Sequence, residues 1–294
     1  MFVFRKHNLL LSLTLLVGLL FSCAPEEDTS AYEAAGKQGT AIGQPDGTST
    51  TNSEGCIEID RPKSVRVAKG MVELRPANGK FRGDLLVLPA WGQPRDAWCQ
   101  RSSFCQLATE RGFRVIMPEM GKSIYLDHAY PETREDWKST PSYSWLRDSL
   151  IPGLQKEYCM LDPKGANFVI GLSSGARGVV KLLSDHKDLF MAGAALSGDY
   201  DPGQLIGDNI YKGFLGEYDD HADRWLEKEN LITLANNIET PLYLGHGTED
   251  PMIPFTQTRS LYDALQQNQP SLQVKLNLAS GLGESFAYWN TEIE

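Results

Sequence analysis

A serine between two glycines is the pattern in this sequence with the clearest chemical meaning. Residues 171–175 read Gly-Leu-Ser-Ser-Gly. They follow the apolar run 168–170, which is typical of a buried strand, and they precede a helix-like stretch at 176–186. A strand, a sharp turn and a helix in this order are typical of a nucleophile elbow, which lifts a serine hydroxyl above the end of a sheet. The pattern predicts that Ser173 is a nucleophile.

The pentapeptide alone is a weak signal, because the chain has 27 Gly among 294 residues. A chance match is expected roughly one time in six at this composition. The flanking elements make the signal stronger, since a strained turn leaves no room for side chains two residues on either side of the serine. The alternative is a turn rich in glycine and serine that has no chemistry.

Apolar runs bounded by turn residues alternate with helix-like stretches over most of the chain. Strands are predicted at 71–75, 84–88, 113–117, 167–170, 191–196, 241–244 and 272–278. Helices are predicted at 97–111, 144–159, 176–186, 224–236 and 256–267. This alternation is typical of a mostly parallel sheet covered by helices on both faces, so the predicted fold class is α/β.

With these segments in order, the sequence resembles the α/β-hydrolase esterases grouped around esterase D, S-formylglutathione hydrolase, feruloyl esterases and enterochelin esterase. The resemblance spans roughly residues 85–289 and depends on the order and spacing of several stretches. These are 115–121, 150–152, 171–175, 188–190, 196–198, 245–251 and 285–289. The resemblance implies the α/β-hydrolase fold, and we expect no cofactor.

The resemblance also implies a catalytic triad of serine, acid and histidine in that chain order. Ser173 matches the nucleophile. Asp250 matches the acid, in a loop after a predicted strand, and Glu249 is an adjacent competitor. A cap of a turn or helix is the alternative role for Asp250. At the position of the family's histidine, this sequence has Glu284.

Glu284 changes the expected chemistry. An imidazole with a pKa near ~6.5 moves protons at neutral pH, whereas a free glutamate with a pKa near ~4.3 is a poor base. Burial and the like charge of Asp250 would raise that pKa. Loss of one triad member generally costs several orders of magnitude in rate. We therefore expect an impaired hydrolase unless another histidine serves as base; the candidates are His128, His221 and His246.

An oxyanion hole needs two backbone N–H groups that point at the developing negative oxygen. The first is expected from Ser174, directly after the nucleophile. The second is expected from the loop after the strand 84–88, where Trp91 and Gly92 are the candidates; a packed aromatic is the alternative role for Trp91. The loop 120–130 is expected to line the substrate pocket.

The net charge is −10, and the sequence has no cluster of lysine and arginine, so we expect no nucleic-acid partner. No pair of cysteines or histidines has metal-ligand spacing, and we expect no metal. Five cysteines are present. Apart from Cys23, an even number remains, which permits two disulfides in three pairings. Cys99 with Cys105 and Cys56 with Cys159 is one of them, and free buried thiols are the alternative.

The first residues have the pattern of an export signal. A positive start precedes an apolar stretch of about 13 residues, too short to span a bilayer, and the stretch ends before Cys23. We expect a lipoprotein signal peptide at 1–22 with lipid on Cys23, a flexible tether at 23–60, and an esterase-like domain at 61–294. Plain secretion and an uncleaved anchor are the alternatives. The family usually adds a C-terminal helix after the position of Trp289.

Together these patterns predict an exported, membrane-anchored serine ester hydrolase, periplasmic or at the cell surface. Its substrate would be a small-molecule or carbohydrate-linked ester, including esters of aromatic acids. A catalytically impaired relative that holds a ligand at the cell surface is the alternative, and acyl transfer to a sugar is a third. Specificity is not readable from the sequence, because the pocket is built from variable loops.

Overall fold

The computed structural model describes residues 51–52 and 55–293. The expected signal peptide, the lipidated Cys23 and the tether up to residue 50 lie outside these residues. Within the described part of the chain, no helix is long and apolar enough to cross a bilayer.

One sheet of eight strands forms the centre of the domain. Its strands are β1 (Lys63–Val67), β2 (Gly70–Arg75), β3 (Gly83–Leu88), β4 (Phe113–Pro118), β5 (Asn167–Leu172), β6 (Ala192–Leu196), β7 (Leu242–Gly247) and β8 (Val274–Ala279). Their order is β1-β2-β4-β3-β5-β6-β7-β8. The first two pairings are antiparallel, and the six strands from β4 to β8 are parallel. The α/β-hydrolase prediction of a mostly parallel sheet is confirmed.

Helices connect the strands and cover both faces of the sheet. They are α1 (Ala97–Arg101), α2 (Phe104–Glu110), α3 (Tyr143–Trp145), α4 (Ile151–Tyr158), α5 (Ser174–Asp185), α6 (Asn209–Leu215), α7 (Thr256–Asn268) and α8 (Phe286–Thr291). A π-helical turn, Leu146–Leu150, joins α3 to α4, and a second is Arg224–Lys228. Within residues 55–293, the 3-10 helices are Glu135–Trp137, Pro202–Leu205 and Leu231–Asn237.

The alternation of side chains along β3 divides the hydrophobic core in two. All six residues of β3 are buried. Leu86 and Leu88 pack with α4, α5 and α7, while Leu85 and Val87 pack with α1, α2 and α8 on the opposite face. Successive residues of a strand point to opposite faces, so a continuous apolar strand requires a layer of helices on each side.

The predicted helix at 97–111 is wrong as a single element, because it breaks at Ser102. The backbone of Ser102 is extended, with φ −159° and ψ 172°. Its hydroxyl donates to the Trp98 carbonyl at 2.6 Å and accepts from the Phe104 N–H at 3.1 Å. The serine side chain thus provides local hydrogen bonds that replace those of a continuous helix.

The predicted helix at 224–236 is also divided. Asn230 separates the π turn from the 3-10 helix that follows, and its side chain accepts a hydrogen bond from the Ile232 N–H at 3.0 Å. Strand β1 and helix α6 were not predicted. β1 is an edge strand with mostly exposed side chains, so it lacks the buried alternating pattern that reveals a strand in sequence.

Two disulfides join Cys56 to Cys159 and Cys99 to Cys105. Cys56 is buried, and the Ile57 N–H donates to the Glu157 carbonyl at 2.9 Å. The last residues assigned to the tether are therefore held against the end of α4 rather than being independent of the domain.

Loss of the Cys56–Cys159 disulfide should destabilise the domain more than loss of Cys99–Cys105. The first closes a loop with a sequence separation of 103 and the second one of 6. Chain entropy assigns about 4.7 kcal/mol to a loop near the first length and roughly half of that to the second. Urea unfolding of the two double cysteine-to-serine variants measures the difference. A larger loss in the Cys99/Cys105 variant would contradict this ranking.

Candidate active site

Ser173 lies at the turn between β5 and α5. Its backbone has a conformation that residues other than glycine rarely adopt. Its φ is 50° and its ψ is −122°. A Cβ added at Gly171 would lie 2.2 Å from the Gly175 carbonyl oxygen, and one added at Gly175 would lie 2.3 Å from the Leu88 carbonyl oxygen. Both contacts are with backbone, which cannot move aside. The turn therefore accepts only glycine at both flanks, as the sequence pattern predicts.

A cavity of about 250 Å³ opens above this turn. Ser173, Ser174 and Glu284 line its polar side, together with Asp199 and Asp208. The other walls are largely apolar; they include Ala90, Trp91, Ile124, Leu205, Ile210, Met252, Ile253, Phe286 and Trp289. Ser173 is 8% exposed, so its hydroxyl is sheltered from bulk water at the cavity floor.

Glu284 lies directly beside Ser173. Burial raises the pKa of Glu284 to about 8, and the charges of Asp250 and Asp199 act in the same direction, while the hydrogen bond from Ser173 opposes them. Its Oε2 atom is buried without a hydrogen-bond partner among the described residues. The structure thus brings the residue in the histidine position to the serine, as a carboxyl group that is mostly protonated at neutral pH.

The loop that carries Glu284 is fixed against the loop after β7. The Glu249 N–H donates to the Leu282 carbonyl at 2.9 Å. A Cβ added at Gly247 would lie 2.2 Å from that same carbonyl oxygen, and one added at Gly283 would lie 3.0 Å from the Glu249 carbonyl oxygen. Close backbone packing between the two loops sets the position of Glu284.

Asp250 is a buried acid whose oxygens are already bonded. Its Oδ1 accepts from the N–H groups of Met252 and Ile253 at 2.9 and 2.8 Å, and its Oδ2 lies 3.2 Å from His246 Nε2. The side chain is 0% exposed and does not line the cavity. Asp250 therefore caps the turn 250–253 and places its charge near Glu284. Glu249, the adjacent competitor, is exposed to solvent.

The structure brings none of the candidate histidines to Ser173. His246 is 0% exposed; its Nε2 lies 2.9 Å from the Ile253 carbonyl and its Nδ1 lies 2.7 Å from Thr258 Oγ1. Since a carbonyl only accepts, Nε2 carries the hydrogen and both ring nitrogens are engaged.

The other histidines in the described part of the chain lie away from Ser173. His221 lies 3.4 Å from Glu132, and His186 follows the end of α5. The ring of His128 lies 5.8 Å from that of Tyr130, tilted by 54°, beside a second cavity. Among the described residues, no histidine lines the cavity of Ser173.

The oxyanion donors are partly revised. Ser174 begins α5, so its N–H lies at a helix N-terminus, where negative charge is favoured. The Gly92 N–H donates to the Gly121 carbonyl at 2.8 Å, so this amide is already engaged. Trp91 lines the cavity together with Ser174 and stays as the candidate for the second donor.

Two buried charged residues, Arg177 behind the cavity and Asp199 in its wall, were missed in the sequence. Arg177 is fully buried; it donates to the carbonyls of Ile124, Asp199 and Glu229 at 3.1, 2.7 and 3.1 Å. Asp199 follows the Ser-Gly pair after β6 and is 4% exposed. An arginine in a helix otherwise rich in small and apolar residues was the available signal for the first.

Glu284 should make the domain less stable as pH rises. Its folded pKa of about 8 exceeds the ordinary value of 4.5, so between these values the unfolded chain loses a proton that the folded chain keeps. Below pH 4.5 this stability is fully present, and it is lost as pH rises through about 8. Glu284→Gln, which mimics the protonated form, should therefore be more stable than the parent at pH 9, by up to about 5 kcal/mol. Urea unfolding at pH 5 and pH 9 measures the difference; equal curves at pH 9 would refute a buried, protonated Glu284.

Comparison with known proteins places these features in a family. The sequence model of the prolyl oligopeptidase family matches residues 102–281, a range that includes Ser173 and Asp250 and ends before Glu284. A curated relative is the diacylglycerol acyltransferase/mycolyltransferase Ag85A of Mycobacterium tuberculosis strain H37Rv, 28% identical over 153 residues. That match covers 47% of this chain and 45% of the relative, so the chain spans less than half of the relative's length.

Solved structures agree on the fold. The apoenzyme of an S-formylglutathione hydrolase from Staphylococcus aureus has a TM-score of 0.61 at 16% identity and covers 79% of this chain and 95% of its own. An acylaminoacyl peptidase of Pyrococcus horikoshii has a TM-score of 0.59 at 14% identity, covering 79% of this chain and 39% of its own. At such identities the likeness concerns the fold, and it is that of α/β-hydrolases. Since the family match takes in more than half of the residues, including the strained serine turn, the chain belongs to the prolyl oligopeptidase family.

Proposed function

We propose that this protein is a serine ester hydrolase in which Ser173 is the nucleophile and Glu284 replaces histidine as the proton acceptor. One observation carries the proposal: the serine of a strained, glycine-flanked turn lines the same cavity as the Glu284 carboxyl group, and a hydrogen bond from this serine lowers the pKa of that carboxyl against the effect of burial. Membership of a hydrolase family and the fold of esterases support it.

The reaction follows from the positions of the side chains. Ser173 Oγ bonds to the ester carbonyl carbon while its proton passes to ionised Glu284. The carbonyl oxygen, now negative, accepts hydrogen bonds from the N–H groups of Ser174 and Trp91. The carbon–oxygen bond of the ester then breaks, and Glu284 returns the proton to the departing alcohol. A water molecule then attacks the acyl–Ser173 ester in the same way, with Glu284 accepting its proton and returning it to Ser173 Oγ, and the carboxylic acid is released.

Only the ionised form of Glu284 can accept the proton, and its pKa is raised to about 8. We therefore expect kcat/KM to rise with pH through about 8, rather than through the lower range of a histidine base. At pH 7 about a tenth of the molecules hold the active form.

Hydrolysis of p-nitrophenyl acetate and butyrate from pH 5 to 10 tests the proposal. The unsubstituted protein should hydrolyse them, and Ser173→Ala should lose at least about a thousandfold in kcat. The exposed Ser271→Ala serves as the control. A fluorophosphonate probe should label Ser173, as located by mass spectrometry of the peptides. Turnover that persists unchanged in Ser173→Ala would overturn the assignment.

A catalytically impaired hydrolase that holds a ligand is the second candidate. It is favoured by the protonated state of Glu284 at neutral pH and by the engagement of both nitrogens of His246. This function predicts no turnover at any pH and no fluorophosphonate label, together with saturable binding of a ligand in the cavity.

Acyl transfer is a third candidate function, and the similarity to Ag85A over part of the chain supports it. An alcohol would then replace water in the second half of the reaction. Glycerol or trehalose added to the p-nitrophenyl assay distinguishes acyl transfer from hydrolysis. A transferase forms a new ester with the added alcohol, which chromatography detects, whereas a hydrolase releases only the free acid.

We also propose that the chain is exported and anchored to a membrane through lipid on Cys23. The apolar stretch that ends before Cys23 supports this, as do two disulfides, which are typical of oxidising compartments. Labelling of cells with radioactive palmitate should mark the protein, and Cys23→Ala should remove the label and release the protein from the membrane fraction. A label retained by Cys23→Ala would refute the anchor.

A further inference from the structure

Besides Glu284, a second acid in the cavity, Asp199, has an oxygen without a hydrogen-bond partner among the described residues. The side chain of Asp199 is 4% exposed and lines the cavity together with Ser173. Its Oδ2 accepts a hydrogen bond from the Tyr211 hydroxyl at 2.6 Å. Its Oδ1 is buried and has no hydrogen-bond partner among the described residues. A buried polar atom without a partner is costly, so an atom of this kind at a cavity wall points to a ligand that completes it.

The direction of this oxygen is fixed from behind. The Tyr211 hydroxyl, which donates to Asp199, accepts from Arg177 at 2.9 Å. Arg177 uses its other N–H groups on backbone carbonyls, including that of Asp199 at 2.7 Å, and does not line the cavity. The network holds the carboxyl group in place and leaves its Oδ1 without a hydrogen-bond partner among the described residues.

A second aspartate in the cavity, Asp208, adds negative charge. Asp208 lines the same cavity, and its Oδ1 accepts from the N–H groups of Ile210 and Tyr211 at 2.7 and 3.0 Å. Burial raises the pKa of Asp199 and the charge of Asp208 adds to this, against the opposing charge of Arg177. Of the described residues that line the cavity, none is lysine, arginine or histidine.

We propose that Asp199 and Asp208 form a subsite for a protonated amine on the ester substrate. An ammonium group brings both hydrogen-bond donors for Asp199 Oδ1 and a positive charge between two acids, whereas a hydroxyl group brings only a donor. The apolar walls formed by Leu205, Ile210 and Met252 would enclose the carbon chain that carries the amine. The inference rests on the proposed function for the ester bond, and it restricts the substrate class to aminoacyl-type esters.

Binding to Ser173→Ala tests the subsite apart from catalysis. Hexylamine hydrochloride, 1-hexanol and sodium hexanoate are titrated into the full chain at pH 7.5 by calorimetry. Hexylamine should bind at least about tenfold more tightly than hexanol, since a charge-assisted hydrogen bond is stronger than a neutral one, and hexanoate should not bind. Asp199→Asn keeps an acceptor for Tyr211 but presents an N–H to the amine, so the preference should disappear. Asp188→Asn, at an exposed position between α5 and β6, is the matched control and should keep it.

Kinetics in the unsubstituted protein give the second comparison. The kcat/KM for p-nitrophenyl 6-aminohexanoate should exceed that for p-nitrophenyl hexanoate at least about tenfold, and the ratio should fall to about one in Asp199→Asn. Amine binding without hydrolysis of either ester would sink the hydrolase function and leave the subsite standing. Hydrolysis with no preference for the amino ester, or equal binding of hexanol and hexylamine, would overturn the subsite. The comparison between ligands needs no variant at Asp199, so a folding failure of that variant leaves the test intact.

Discussion

Glu284→His should raise esterase activity at pH 7 by up to about tenfold. Only the unprotonated form of a base accepts a proton, and at pH 7 about a tenth of the Glu284 carboxyl groups are ionised because the pKa lies near 8. A histidine at this position would have a pKa nearer ~6.5 and would be mostly unprotonated at pH 7. The midpoint of the pH–rate profile should therefore move downward from about 8.

Two variants control this experiment. Glu249→His places an imidazole on the neighbouring loop at an exposed position, so it should leave the pH profile unchanged. Glu284→Gln removes the ionisable group and should abolish the rise in rate through about pH 8. If Glu284→Gln kept the parent profile, another group would be the base. If folded Glu284→His hydrolysed the ester no faster than the parent, the missing histidine would not be what limits the rate, and another catalytic group would be missing as well.

Arg177→Met should destabilise the domain by about 3–5 kcal/mol. The guanidinium group is fully buried, and its removal would leave Asp199 and Glu229 without a facing positive charge. Removing one charged residue from a buried ionic network typically costs about 3–5 kcal/mol of stability, because the remaining charges stay buried without a counter-charge. Methionine keeps most of the side-chain volume, so the loss reports on charge and hydrogen bonds rather than on a cavity.

Urea unfolding at pH 7 measures the effect, with Arg259→Met as the matched control. Arg259 is 47% exposed and lies 4.0 Å from Asp263. A surface pair of this kind contributes at most about 1 kcal/mol. If Arg177→Met lost no more unfolding free energy than the control, Asp199 and Glu229 would become protonated in the variant at little cost. The inference that Arg177 fixes the orientation of Asp199 would then be wrong.

The sequence alone was sufficient to predict the strained serine turn and the fold class. Residues 171–175 are adjacent in the chain, and the steric requirement for glycine around a serine at φ 50° acts within those few residues. The parallel sheet was readable because its strands are buried on both faces and form apolar runs. The break at Ser102 and the edge strand β1 were not, since a side-chain hydrogen bond and an exposed edge do not change the hydrophobic pattern.

Only the tertiary structure decided which residues surround Ser173. Glu284 and Asp199 come from loops far from the serine in sequence, and they reach it because parallel strands bring their carboxyl ends to one edge of the sheet. The pairing of the cysteines and the engagement of His246 were likewise decided by packing. Sequence determines what each segment can form; the raised pKa of Glu284 and the free oxygen of Asp199 exist only because folding removes both side chains from water.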